Sequence, residues 1–381
     1  MDFALSEEQR LAVDSIRKFA ARELMEPARA YRTKRIPKDV FHELFRKLSQ
    51  FGILGWCVPE ENGGPGLDCL TTVMMLEELF KVFPDLAAAS FINATVASML
   101  MRDGTEEQKE RYLPGVILGD LIACQALSEP GAGSEPSRAI LSARPDRDGY
   151  RLNGQKSWIS NGGVSDFCVL VARTGEGKRG LTRFLVDRAS YQTREIELMG
   201  HKGYSSAELF FDNVWIHKSA MLGEIGMALN HSLKDLEVAR CFAAALSIGI
   251  SHAALDASIS YAKTREQWGK PIGGHQLIQD HIAKMATELQ CARLMLYRAA
   301  WSIDQGGRCD TECSMAKYYA TEAGVRITSR AIQIHGATGL AVETGIETLF
   351  RTARMATIPD GTSEIQKLII ARNILGISAI E

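Results

Sequence analysis

The chain runs through three hydrophobic rhythms. From Ser6 to about Gly119 apolar residues recur at helical intervals, as in Leu11, Val13, Ile16, Phe19 and Ala20. Ser6 and Gln9 have the spacing of a capping box, residues 59–66 form a glycine-rich interruption, and Gly104-Thr105-Glu106-Glu107-Gln108 restarts a helix. Between about Asp120 and Leu222 the pattern shortens to β-forming runs at 121–127, 150–152, 167–172, 181–186 and 209–216, separated by Gly, Asn and Asp. From about Met227 the helical rhythm returns in alanine-rich stretches, 241–263 and 275–301, which point to an antiparallel bundle. The order predicts an α+β fold with an N-terminal α-helical domain over 1–119, a middle β-domain over 120–226 and a C-terminal α-helical bundle over 227–381. No internal repeat or low-complexity linker is visible, so the three parts are expected to pack as one body.

The last helical stretch begins in an unusual way. Ile358-Pro359-Asp360-Gly361-Thr362-Ser363-Glu364-Ile365-Gln366 sets one acid before a turn glycine, and the Ser363 and Gln366 spacing again suggests a capping box. Ile365, Leu368, Ile369 and Leu375 then give an apolar stripe that ends at Gly376. Asp360 would stand near the positive end of a helix, where a working base and a solvated turn acid are both at home.

Composition narrows the function classes. The 381 residues are 46% hydrophobic and 24% charged, with a formal charge of -2, a globular balance without the basic clusters on which non-specific nucleic-acid binding rests. No window approaches a run of apolar residues long enough to span a bilayer, so no membrane partner is expected. The start, Met1-Asp2-Phe3-Ala4, leads into acidic residues where a signal peptide would be basic, which suggests a cytoplasmic protein or a mature organellar one. Cys57, Cys69, Cys124, Cys168, Cys241, Cys291, Cys309 and Cys313 are scattered without a Cys-x-x-Cys pair and read as free thiols; no metal site is expected.

Four segments could carry chemistry. Ser128-Glu129-Pro130-Gly131-Ala132-Gly133-Ser134 offers hydroxyls and bare backbone N–H groups to a phosphate or flavin edge, or is a plain turn. Asn153-Gly154-Gln155-Lys156-Ser157-Trp158-Ile159-Ser160 combines a tight turn with a tryptophan beside a hydroxyl: either Trp158 stacks on a planar ring, or this is a hairpin with a core tryptophan. Arg265 and Trp268 follow a helix end, where an arginine can grip a pyrophosphate or answer the helix dipole. Gln333-Ile334-His335-Gly336 supplies a glycine for close approach to a ligand and a histidine that can act as a base or satisfy local backbone groups.

In this order the segments resemble the acyl-CoA dehydrogenase family of flavoproteins over essentially the whole chain. The resemblance rests on Pro-Glu-x-x-Gly-Gly-x-Gly at 59–66, Glu-Pro-x-Ala-Gly-Ser, Asn-Gly-x-Lys-x-Trp-Ile-Ser-Asn, Arg-x-x-Trp-Gly-Lys, Gln-x-x-Gly and the terminal acid-Gly-Thr; Ala337 stands where a second glycine is usual. It implies FAD as cofactor, with Leu127 and Ser128 on the flavin, Ser134 at the pyrophosphate or CoA, Trp158 over one flavin face and Ser160 near N5. It implies that Arg265, Trp268, Gln333 and Gly336 of a neighbouring subunit hold the adenine end, hence a homotetramer. Thr362 and Glu364 would touch the FAD of their own subunit, and Arg240 and Gly361 the acyl-CoA. The implied reaction is α,β-dehydrogenation of an acyl-CoA thioester: Asp360 takes the α proton, the β hydrogen leaves as hydride, and an electron-transfer flavoprotein reoxidises the cofactor.

One departure matters. Most members carry glutamate at this position, usually after an aromatic residue, whereas here the pair is Pro359-Asp360. The carboxylate retreats by roughly 1.5 Å, one C–C bond. Some subfamilies bring a glutamate from the position before the long-helix arginine; that residue is Ala239, and Glu237 lies two residues earlier, on another helix face. A branched or alicyclic acyl group whose α carbon rides closer to the loop would restore contact. Acyl-CoA or acyl-carrier oxidases and enoyl-CoA reductases use the same residues, and a non-catalytic nucleic-acid-binding flavoprotein would be expected to extend beyond Ile380-Glu381 with basic residues.

Overall fold

The structure, a computed structural model, describes residues 4–379; the opening residues Met1 to Phe3 and the closing Ile380 and Glu381 lie outside the described residues. Helices come first: α1 (Glu7–Phe19), α2 (Met25–Ala30), α3 (Lys38–Ser49), α4 (Cys69–Val82), α5 (Pro84–Asp103) and α6 (Glu106–Leu118). The Ser6–Gln9 capping box forms as the spacing predicts, and another closes at the predicted helix restart, Thr105 with Gln108.

Next come β1 (Ala123–Ala126), β2 (Ser142–Asp146), β3 (Gly149–Ser160), β4 (Phe167–Arg173), β5 (Leu181–Asp187), β6 (Gln192–Glu195), β7 (Ser206–His217) and β8 (Met221–Leu222). They join in the order β6-β7-β3-β2-β4-β5-β8, with β1 parallel to β4. Asn153-Gly154 is no tight turn: it lies inside β3, and the register against β7 slips there and again between Lys156 and Ile159. Gly154, at φ 140°, bulges over Leu141, whose Cα would lie 2.9 Å from an added Cβ. The Asn-Gly pair therefore re-aims a long strand instead of reversing the chain.

The remainder is helical: α7 (Ala228–Thr264), a two-residue-strand hairpin β9 (Glu266–Gln267) and β10 (Lys270–Pro271), α8 (Gln276–Asp304), α9 (Asp310–His335), α10 (Ala337–Leu340), α11 (Ile346–Ala356) and α12 (Ser363–Leu375). One apolar core runs through α1, α3, α4, α7, α8 and α9, so the first and last helical parts share an interior; a second fills the sheet. α7 is long and apolar enough to cross a membrane, but 83% of that window is buried inside the protein, as in a core helix. Buried Arg183 of β5 bonds Asp103 of α5 and Asp235 of α7, tying all three parts together.

Candidate active site

The acid turn sits between α11 and α12 and leans on α9. Asp360 (φ 56°) and Gly361 (φ 90°) both have left-handed backbone, which costs a non-glycine residue energy and persists only where neighbours enforce it. Three residues do so: Ser363 N–H donates to Thr357 O at 3.1 Å, Lys317 Nζ donates to Gly361 O at 2.8 Å, and Gln366 Nε2 donates to Asp360 O and Gly361 O, both at 2.9 Å. The Ser363–Gln366 capping box does not form. Thr362 is the cap, its Oγ1 accepting from Ile365 N–H at 3.3 Å, while Ser363 donates to Glu322 and Gln366 turns back to brace the turn. Among the described residues the Asp360 N–H makes no hydrogen bond, and buried Gln366 Oε1 has no partner.

Charge around the turn is concentrated. Burial pushes the Asp360 carboxyl above its ordinary range, against the pull of Lys317 and Arg240. Lys317, 0% exposed, is pushed down to about 8 by burial, while Asp360 and Glu322 act in the opposite sense. Arg240, on α7, is buried with its Nε unpartnered, and burial lowers it too, with Cys313 and Asp360 opposing. Glu237 is not turned away from this group: one turn before Arg240, it accepts from Cys309 Sγ at 3.5 Å and acts electrostatically on the arginine.

The segments at 127–134 and 153–160 are locked to each other. Lys156, fully buried, donates to Leu127 O and to the Glu129 carboxylate, both at 2.8 Å, and that carboxylate accepts the N–H groups of Ile140 and Leu141. Ser128 O receives Ser157 N–H at 3.0 Å, and Glu129 and Ala132 exchange both backbone bonds, which puts Pro130 and Gly131 at the tip of the closed turn and leaves Gly133 and Ser134 beyond it. Ser134 is exposed; Leu127 and Ser128 are half-buried. Trp158 is not a core tryptophan: at φ 63° it is 60% exposed, thrown outward by the second register slip, with Ser160 two residues on. Asn161 then anchors the strand end, its Nδ2 donating to Ala89 O and Ala123 O.

Arg265, Trp268, Gln333 and Gly336 gather elsewhere. Trp268 caps the β9–β10 hairpin at 93% exposure, and stacking of Tyr261 on His335 at 4.5 Å sets that hairpin beside the end of α9. His335 satisfies Ala331 O at 2.7 Å, the structural role weighed for it above. Gln333 lies sixteen residues beyond Lys317 on α9, about 24 Å along the axis, so one chain does not bring this set to Asp360. Thr362 and Glu364, with Glu322, Arg354 and Ile358, line a cavity of about 290 Å³ beside the turn.

These residues fit a flavin dinucleotide. An exposed aromatic platform in a forced backbone, a hydroxyl beside it, open space around Gly131 and Gly133, and buried polar atoms without partners at the turn are what a bound planar group would complete. Sequence reading missed Lys317, and Gln366 in its place as a brace. A lysine among apolar helical neighbours was the one available signal.

Comparison with known proteins bears on the same residues. Three family models match in succession: "Acyl-CoA dehydrogenase, N-terminal domain" over 6–120, "middle domain" over 124–214 and "C-terminal domain" over 229–375. A 3-(aryl)acrylate reductase of Clostridium sporogenes is 38% identical over 90% of this chain and 92% of its own. The caffeyl-CoA reductase-Etf complex subunit CarC of Acetobacterium woodii is 36% identical over 87% of this chain and 89% of its own. Among solved structures, an FAD complex of PigA superposes with a TM-score of 0.93 at 30% identity, covering 98% of this chain and 99% of that one.

Proposed function

Because the chain belongs to the acyl-CoA dehydrogenase family, we propose that it oxidises or reduces the Cα–Cβ bond of an acyl-CoA thioester, with Asp360 as the base that takes, or returns, the α proton. The chain is an FAD-dependent oxidoreductase. The observation that carries the assignment of Asp360 is its position: a half-buried carboxylate on a strained turn, in the field of Lys317 and Arg240.

The parts follow from that position. Burial makes Asp360 a stronger base than a surface carboxylate, and two nearby cations keep it ionised enough to act. Its own N–H, unclaimed within the described residues and untouched by Pro359, polarises the thioester carbonyl as enolate charge develops. Lys317 and Gln366 hold the turn so that this N–H and the carboxylate keep their relation. Trp158 would cover one flavin face, Ser160 would bond its edge, and Leu127 and Ser128 would meet its pyrimidine end. FAD, when bound, supplies the acceptor or donor of the β hydride.

The short Asp360 side chain favours a ring-bearing or branched acyl group, whose α carbon lies close to the loop. Aryl-substituted thioesters belong to that class, and the names of the two reductases above support running the reaction toward saturation. The electron partner would be an electron-transfer flavoprotein, as in the CarC complex. The active form would be a homotetramer, its adenine sites completed by Arg265, Trp268, Gln333 and Gly336 of a neighbour.

Purified holoenzyme tests the reading. Oxidised flavin should bleach with branched, alicyclic or arylpropionyl thioesters faster than with straight medium chains, and dithionite-reduced flavin should reoxidise with the matching enoyl thioesters. Asp360→Asn should keep FAD and lose both reactions, whereas Glu237→Gln should keep them. Bleaching that survives Asp360→Asn sinks the assignment of the base, and a preference for straight medium chains sinks the substrate class.

A further inference from the structure

Tyr204 stands in the loop before β7, two residues ahead of Ser206, whose backbone pairs with Ser160. Ser205 O also receives Asn161 N–H at 2.9 Å. These two ties set Tyr204 alongside Ser160. The ring is held at one side: Tyr204 N–H donates to His201 O at 3.1 Å, the two ring centroids lie 5.6 Å apart at a 49° tilt, and His201 is itself fixed by Asp85 at 2.8 Å. The half-buried ring packs on the helical core, and its phenol feels both the Ser160 hydroxyl and the charge of Asp360.

We propose that Tyr204 is a positioning residue of the redox centre, its phenol fixing the Ser160 hydroxyl so that the serine presents its proton to the reacting edge of the flavin. The inference rests on the flavin reading above. A serine hydroxyl has one proton and two acceptor lone pairs, and a free rotor spreads that proton over several directions. A phenol that donates to Ser160 Oγ removes one lone pair from play and leaves the serine proton for another acceptor. Burial pushes the phenol pKa up, opposed by Ser160 and helped by Asp360, so Tyr204 stays protonated and keeps its donor. The His201–Asp85 pair supplies rigidity, since a ring free to swing would leave Ser160 unfixed.

Tyr204→Phe keeps the ring and deletes the hydroxyl, and Ser160→Ala deletes the group it is said to position. The experiment compares both single variants and the double variant as holoenzymes. Its readouts are FAD content, flavin midpoint potential by dye equilibration, which needs no acyl substrate, and the rate of thioester-driven flavin reduction. Tyr204→Phe should retain FAD, move the midpoint potential in the same direction as Ser160→Ala, and slow flavin reduction on the order of tenfold with KM nearly unchanged. The double variant should match Ser160→Ala, because residues acting through one another are not additive. A Tyr204→Phe enzyme with wild-type potential and rate overturns the proposal, as do losses that multiply in the double variant. If no thioester reduces even the wild-type flavin, the proposed reaction has failed, and the potentials still decide the role of Tyr204.

Discussion

Asp360 and Lys317 set each other's charge, and that pairing has a measurable sign. With Lys317 held down to about 8, its ammonium is protonated through neutral pH and favours the ionised form of Asp360. Lys317→Met removes that support, so the Asp360 pKa rises further and the acid limb of flavin bleaching moves to higher pH; stopped-flow rates across pH would detect it, and an unmoved limb would refute the coupling. The stability sign is separate. Because the folded-state pKa of Asp360 is already raised, its contribution to stability is present at low pH and lost as pH rises through that value, so Asp360→Asn should not lower the melting temperature at neutral pH. Asp360 was legible in the sequence because an acid, a glycine and a helix start adjoin there. Lys317 and Tyr204 were not: each acquires its meaning from a turn or strand far along the chain, and helical periodicity places Lys317 on a buried face without saying what it faces.

At the level of elements, local chemistry was readable where the partners are neighbours in sequence. The caps at Ser6 and Thr105 each close within three residues, so their spacing is enough. The same spacing misled at Ser363, because Thr362 took the cap and the buried turn claimed Gln366. Asn153-Gly154 misled for a related reason: the pair suits a reversal or a bulge, and β7, some sixty residues away, decides for the bulge. The loop carrying Leu127 and Ser128 depends on a buried ion pair that neither motif discloses alone, Lys156 with Glu129, whose exposures are 0% and 4%. Burial alone would make Lys156 shed its charge, and Glu129 opposes that most. Glu129→Gln leaves an ammonium buried without a counter-charge, which should cost about 3–5 kcal/mol in denaturant unfolding and release FAD. A variant of near wild-type stability that keeps its flavin would show that the pair is not what shapes the loop.

At the scale of the whole molecule, the single chain carries two groups of candidate residues set apart along α9. One joins Asp360, Lys317 and Arg240 at the acid turn; the other joins Arg265, Trp268, Gln333 and Gly336 at the far end of α9. The second half is exposed, and apolar side chains such as Leu277, Leu340, Ile374 and Leu375 also lie open on the C-terminal helices, a distribution that suits an interface between copies. If a working site takes one half from each of two subunits, complementary lesions should rescue each other. A chain bearing Asp360→Asn and a chain bearing Arg265→Ala with Trp268→Ala should each fail to bleach with thioester, the first for want of a base and the second for want of bound FAD. Co-expressed with different affinity tags and purified through both, mixed assemblies should regain bleaching at one of the two sites in each mixed pair, where Asp360 of one chain meets intact Arg265 and Trp268 of the other. Mixed assemblies that contain both chains and stay inactive would place both halves of the cofactor site within one subunit, and light scattering that finds only monomers would remove the interface itself.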